Sequence, residues 1–592
     1  MRHGGSNHSW PLLFALCATL FFPLALAAQS AAPSAPPTTG KSRSEGAAAL
    51  ERGDLDAART WFEEAVRLNP GDAAARNVLG MVLLKQNHTA EAIAEFRSAI
   101  RLRPSFANAH ANLSSALLQT ADSEGALSEA RSAVRLAPDQ PDAQLALARA
   151  FEAVANIPEA VAALHRALLL APNRADLHDG LGTMLARQND LQGAAAEFQK
   201  AIELNANLAS AQFHLGVLQF EDQQYASAEN HLVRASELDA KNYLAMNYLG
   251  RARRELGNLP LAISAFQASL KLRPEQPEIL NILGQSLQRT GNPVAAAVAF
   301  REALRLQPQN AETLNNLGLA LLQSGDGDGA VSAFRAALQI HPSNTGYQGN
   351  LGAAFMQKAD FAAAVSEFRE ALIGAPRDLS LHYNLGLALK LQDKLPEAVA
   401  ELRAAEALDP SQPDAPYTLG VTLWQMGDTD GAVVELKKAI AAKSDYAEAF
   451  YTLGTVLKQQ SKLQESADAL REAIRLQPDF AGAHTTLAAV LRQLGDPQSA
   501  SAEARQGAEL AKQKTDLQAA VFATNSGRRL RNLGDLETAV SQFRAAIQSM
   551  PDYAPAHFEL AVALRLLGEK DESAAEFQKA AALDPRLVAP QP

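Results

Sequence analysis

Prolines recur at Pro70, Pro104, Pro138 and Pro172, each 34 residues after the last, and the same frame continues through Pro274, Pro308, Pro342, Pro376, Pro410 and Pro478. It passes Ala206, Ala240 and Ser444 without slipping, takes on five extra residues after Lys512, and resumes at Pro551 and Pro585. A fixed period of this length marks a stacked-repeat architecture, in which one small unit cannot bury its apolar face alone and its neighbours cover it. The 592 residues therefore do not need several unrelated cores. Sixteen units fit between Gly40, or just before it, and Leu587.

With each unit numbered so that its proline is position 32, three positions stay small. Position 8 is Gly in twelve units, as at Gly80, Gly182, Gly318 and Gly454, and otherwise Ser or Ala. Position 20 is Ala except for Ser466 and Ser573, and position 27 is Ala except for Ser269 and Gly507. Small residues at fixed places let two helices approach to about 8 Å. Bulky residues flank them: position 7 is Leu in fourteen units, and position 24 is usually Phe or Leu, as at Phe96, Phe300 and Leu436. Pairs such as Gly53-Asp54, Gly325-Asp326, Gly427-Asp428 and Gly534-Asp535 separate two helical runs. Gly ends the first helix in a left-handed conformation and Asp caps the second, while the proline stops the second helix or opens the next. Each unit reads as a helix-turn-helix hairpin.

The Leu-Gly pair, then Ala, Phe, Ala and Pro at these offsets, resembles the tetratricopeptide repeat (TPR) family. The resemblance implies an all-α fold, a superhelical α-solenoid of about 16 helix-turn-helix TPR units with about 32 helices, and a concave groove lined by the first helices that binds peptides or partner proteins. The family's Trp at position 4 is missing, replaced by residues such as His110, His178, Met246 and Phe450, and the first unit has Glu45 in place of Leu, as a polar cap would. The expected organisation is 1–27 signal peptide, 28–40 Ala/Pro/Ser/Thr-rich spacer, 41–511 units 1 to 14, 512–519 an insertion-bearing connection, 520–587 units 15 and 16, and 588–592 a tail. The insertion reads as a lengthened helix or loop that offsets the last two units.

The leader rests on Arg2, an apolar run from Pro11 to Ala28 broken only by Thr19, and the small residues Ala25 and Ala27 before Ala28. It predicts export to the periplasm, cell surface or medium, with membrane contact only if the segment is kept as an anchor. Cys17 is the sole cysteine and falls within the leader, so the mature chain has no disulfide. A net charge of -11 argues against a general nucleic-acid binder, and 47% hydrophobic residues argue against disorder.

Catalytic and metal chemistry find little support. His110, His178, His382, His484 and His557 all occupy position 4, but in hairpins that are never adjacent. They cannot share an ion whose ligands must all lie about 2 Å from it, so a packing role is expected. Asp326-Gly327-Asp328-Gly329 begins like a calcium loop but reaches Ala337 where a bidentate Glu is required, and it is in phase as an ordinary turn. No phosphate-binding Gly-Lys-Ser/Thr loop and no Gly-x-Ser-x-Gly elbow occurs. The expectation is a non-enzyme with no cofactor and no metal.

The groove remains. The resemblance implies that positions 2, 5, 9 and 12 of each first helix face it, with position 6 nearby. Position 6 is Asn in three successive units, Asn316, Asn350 and Asn384, a tract similar to the asparagine ladder of the superhelical transferases that glycosylate Ser and Thr. Position 5 carries Tyr383, Tyr417 and Tyr451, which offer rigid amphipathic contact area. Position 12 reads Lys390, Trp424, Lys458, Arg492, Arg531 and Arg565, five cations in six units of an acidic chain. Such a stripe attracts carboxylates. The Lys and Asn that clamp chaperone tails in the family are absent. The expectation is an exported scaffold binding a protein or peptide, including one with an acidic segment. The alternatives are a structural or self-assembling envelope component, associating end to end, or the non-catalytic substrate-binding arm of a glycosyltransferase-like system.

Overall fold

A computed structural model describes residues 38–587. The expected leader, most of the spacer and the tail lie outside the described residues. Every described element is a helix or a turn, and the chain divides into two compact units, to Pro308 and from Gln309.

The first unit holds α1 (Thr39–Glu51), α2 (Leu55–Leu68), α3 (Ala73–Lys85), α4 (Thr89–Leu102), α5 (Ala107–Gln119), α6 (Ser123–Leu136), α7 (Pro141–Ala153), α8 (Ile157–Leu170), α9 (Ala175–Arg187), α10 (Leu191–Leu204), α11 (Ala209–Glu221), α12 (Tyr225–Leu238), α13 (Tyr243–Glu255), α14 (Leu259–Leu272), α15 (Pro277–Arg289) and α16 (Pro293–Leu306). The second holds α17 (Ala311–Gln323), α18 (Gly327–Ile340), α19 (Thr345–Gln357), α20 (Phe361–Gly374), α21 (Leu379–Leu391), α22 (Leu395–Leu408), α23 (Asp414–Gln425), α24 (Thr429–Ala442), α25 (Ala447–Gln459), α26 (Leu463–Leu476), α27 (Ala481–Gln493), α28 (Pro497–Asn532), α29 (Leu536–Ser549), α30 (Ala554–Leu567) and α31 (Lys570–Leu583).

The turns behave as the sequence predicts. Gly53, Gly325, Gly427 and Gly534 have φ between 76° and 86°, and Asp54, Asp326, Asp428 and Asp535 accept hydrogen bonds from the first turn of the helix that follows. The same left-handed place is filled by Ala121, Ala155 and Ala359 in other hairpins, where the β-carbon strains the backbone.

The small positions have a sharper cause than helix approach alone. Position 24 lays its side chain across position 8: a β-carbon on Gly80 would lie 2.6 Å from the Phe96 ring, and one on Gly318 would lie 2.5 Å from Phe334. The rings of Phe96, Phe300 and Phe334 are completely buried, as are Ala92, Ala330 and Ala337. Where Ser replaces Ala, its hydroxyl is satisfied internally: Ser466 donates to the Gly454 carbonyl at 2.6 Å and Ser573 to the Ala561 carbonyl at 2.7 Å.

Two expectations are corrected. Thr39 and Gly40, placed in the spacer, belong to α1, because the Thr38 hydroxyl caps the helix by accepting from the Lys41 amide. The expected 32 helices are 31 among the described residues, because the second helix of the fourteenth hairpin and the first helix of the fifteenth are one 36-residue helix, α28. Residues 511–519 contain no Gly or Pro, so nothing stops the helix. Of the two readings of the insertion, the structure takes the lengthened helix.

Candidate functional site

All twelve candidate groove residues lie on first helices of the second unit. There, outside the junction that α28 spans, each first helix approaches the first helix of the next hairpin, α17 to α19, α19 to α21, α21 to α23, α23 to α25, α25 to α27 and α28 to α30, and no comparable approach joins the second helices. A stack crowded on one side bends toward that side, so the first helices of this unit line its concave face.

A polar ladder runs along this face. Asn350 donates to Asn315 Oδ1 at 2.8 Å, the Tyr383 and Thr418 hydroxyls lie 3.3 Å apart, and Trp424 Nε1 donates to Gln459 at 2.7 Å. Each rung joins a residue to the one 35 positions on, which is the next position in the next hairpin. The asparagines are therefore partly struts between helices. Asn350 commits one amide N–H in this way, Asn316 also has a partner, and Asn384 is half-buried beside Tyr383.

The tyrosines are half-buried and packed against the core. The Tyr417 ring centre is 5.0 Å from that of Tyr446, and the Tyr451 ring is 4.7 Å from Phe480. Burial, with Asp414 close by, pushes the Tyr446 hydroxyl well above the usual phenol range.

The cationic stripe separates into two groups. Arg531 pairs with Glu559, which Arg528 also binds at 2.7 Å, and the Arg565 guanidinium lies 5.4 Å from the Phe577 ring centre. Lys390, Lys458 and Arg492 form no ion pair among the described residues. Lys390 and Lys458 are half-buried and Arg492 is exposed. Burial lowers the Lys390 ammonium pKa, the signature of a cation short of a counter-charge. The stripe thus presents three uncommitted cations beside three tyrosines.

The first unit contains a polar cluster that the sequence reading missed. His214 Nδ1 lies 2.8 Å from Asp179, and Arg187 donates to Glu152 at 2.9 Å. Burial works to lower the His214 pKa, but the charge and hydrogen bond of Asp179, helped by Glu152, outweigh it and the net shift is upward. Phe213 packs on His214 and, edge-on, on Tyr248. These residues hold the same 35-residue spacing, which was the available signal, but their types alternate and no single-residue run drew attention to them.

The position-4 histidines are brackets inside hairpins. His110, His178, His382, His484 and His557 each hold a glutamate of their own second helix through Nδ1, at 2.5 to 2.6 Å. Their Nε2 atoms lie 2.7 to 3.2 Å from the carbonyl of the preceding repeat proline. Among the described residues no three His, Cys, Asp or Glu side chains gather to hold a metal ion, and no helix is long and apolar enough to cross a membrane.

Among solved structures, the chain is similar to the MamA protein (23% identity, 29% of this chain and 93% of that one, TM-score 0.28). It is also similar to pilF of Pseudomonas aeruginosa (23%, 35% and 95%, TM-score 0.31) and to the APC/C hetero-tetramer Cut9-Hcn1 (15%, 89% and 97%, TM-score 0.31). At these values nothing about partner or process transfers. No curated protein matches. The tetratricopeptide repeat model matches residues 43–105, 77–141, 145–209, 213–277, 283–345, 350–413, 417–479, 451–514 and 524–587, in phase with the hairpins and leaving out the inserted stretch of α28. With the repeat matched along most of its length, the chain belongs to the tetratricopeptide repeat family.

Proposed function

We propose that the chain is an exported, non-enzymatic scaffold that holds an extended, acidic segment of a partner protein along the concave face of its second unit. Tetratricopeptide repeat proteins in general mediate protein–protein interactions, and the fold is typically non-catalytic. The observation that carries the finer reading is the set of uncommitted cations Lys390, Lys458 and Arg492 on one stripe beside Tyr383, Tyr417 and Tyr451. A half-buried ammonium with no counter-charge favours a bound carboxylate. Half-buried rings supply apolar contact with little entropy loss. Asp414 and Glu448 stand at position 2 of α23 and α25, at the opposite end of those two helices from the position-12 stripe.

Photo-crosslinking from Tyr417 in an envelope extract identifies the partner. Its association rate is then compared between the parent and a Lys458→Glu/Arg492→Glu variant. Slower association at low salt, with a smaller difference at high salt, supports the proposal; equal rates at low salt reject it. Export has its own test in N-terminal sequencing of the mature protein. Cleavage before Ala28 supports it, and an intact Met1 in the cytoplasm rejects it.

A further inference from the structure

At a regular junction the second helix of one hairpin lies antiparallel against the first helix of the next. Ala99 and Ile100 of α4 close over Ala109 of α5, and Ala467 and Leu470 of α26 close over Val490 of α27. First-helix positions 3 and 10 are buried for this reason, as Ala109, Ala449, Val456 and Val490 are completely.

The junction between the fourteenth and fifteenth hairpins is different. α28 runs straight through it, so the two faces that should meet sit on one helix, roughly 21 Å apart at 1.5 Å per residue. Position 3 of the fifteenth hairpin is Phe522 and position 14 is Leu533, each 76% exposed, and position 10 is the exposed Arg529. On the opposing face, position 28 is the exposed Ala508, where hairpins elsewhere carry Ile100, Ile440 or Ile474, and position 21 is the exposed Ser501, where they carry Val331 or Val365. At the pair formed by positions 3 and 28 the faces have changed in opposite senses, with Phe522 where most hairpins have Ala and Ala508 where most have Ile, Leu or Val. Two solvated ends account for Ser501, Ala508 and Arg529 but leave two large apolar side chains in water.

We propose that a second copy of this chain covers both faces, with α28 pairing antiparallel to itself about a two-fold axis at Thr515. Regular junctions set the register. Position 28 faces position 3, position 21 faces position 10, and position 18 faces position 14, as when Gln460 donates to Asp430 at 2.9 Å. On α28 these pairings become Ala508 with Phe522, Ser501 with Arg529, and Gln498 with Leu533, and each is centred within one residue of Thr515. The bulky ring thereby meets the small residue. The same register places Lys514 opposite the second copy's Asp516, once on each side of the axis. The contact continues the interface that every other hairpin makes within its own chain. Exchanging it between copies requires no new kind of surface.

Size-exclusion chromatography with light scattering on the full chain tests this. The parent runs at twice the chain mass, and a Phe522→Glu/Leu533→Glu variant runs at the single-chain mass with unchanged helicity, since both side chains are exposed in one copy. A Thr515→Cys/Cys17→Ala variant is joined into dimers by a bismaleimide spanning about 8 to 10 Å, the distance between packed helix axes. A parent at single-chain mass overturns the proposal, and so does a dimer that survives the glutamates or escapes the crosslinker.

Discussion

Replacing Gly318 by Ala isolates the packing rule on which every hairpin depends. Away from tertiary contacts, Gly→Ala in a helix gains about 1 kcal/mol. Here the new methyl would stand 2.5 Å from Cε1 and 2.7 Å from Cζ of Phe334, far inside the roughly 3.5–4.0 Å of an ordinary carbon contact. The ring is fully buried and must move, which costs about 1–3 kcal/mol in a packed core. The last hairpin shows that the pair can be accommodated, since Ala561 stands at position 8 opposite Phe577. The repulsion therefore wins narrowly, and Gly318→Ala should destabilise its hairpin by about 1 kcal/mol. Gly482→Ala, whose nearest atoms would lie at 3.4 to 3.5 Å, should be neutral or stabilising by up to about 1 kcal/mol.

Phe334→Ala alone should cost about 3–5 kcal/mol. Combined with Gly318→Ala it should cost less than the sum by about 1–2 kcal/mol, since the methyl no longer meets a ring and fills part of the hole. Ala488 with Ala504 in the fourteenth hairpin is a natural instance of that pair. A repeat array does not unfold in one step, so the assay is hydrogen exchange of α17 and α18, which reads local opening. Additive costs, or a Gly318→Ala variant as benign as Gly482→Ala, would refute the reasoning.

Other substitutions test separate parts of the account. Because the folded His214 pKa is raised above 6.5, its stabilisation is complete below that pH and is lost as pH rises through the folded value. His214→Gln should flatten the fall in melting temperature on the alkaline side, and an unchanged profile counts against the Asp179 pair. His231 is lowered by burial and acts in reverse, so His231→Gln should flatten the loss of stability as pH falls. Ala155, at φ 58°, pays the left-handed penalty of about 1–2 kcal/mol. Ala155→Gly should therefore stabilise α7 and α8 by about 0.5–1 kcal/mol after the entropy of glycine is counted, read as slower exchange in those helices.

The fold was legible because one period governs the chain. A 34-residue frame marked by proline in most units, with small residues at positions 8, 20 and 27 in phase, leaves no other way to bury so many small helices. What lay beneath the period was less legible. Glycine at position 8 signalled closeness, but only the structure shows Phe334 lying across Gly318. The inserted residues before Ala520 disturbed the phase without saying whether the chain bends or continues, and the absence of Gly and Pro settles it as helix. The stripe was legible as a run of cations but not as two groups, because the charge that occupies Arg531 sits on Glu559 in the following hairpin. The cluster of His214, Asp179, Arg187 and Glu152 escaped because its signal is a spacing of 35 between unlike residues, one more than the repeat.

The most direct test of the central claim is a titration of the full chain with a fluorescent, glutamate-rich extended peptide, followed by anisotropy at low and high salt. The account predicts saturable binding that is weakened about tenfold, or about 1.4 kcal/mol, by Lys458→Glu/Arg492→Glu at low salt. High salt should largely erase the difference, and the same double reversal at the exposed Arg403 of α22 and Lys437 of α24 should have little effect. No binding by the parent, or equal loss from the two reversals, would contradict it.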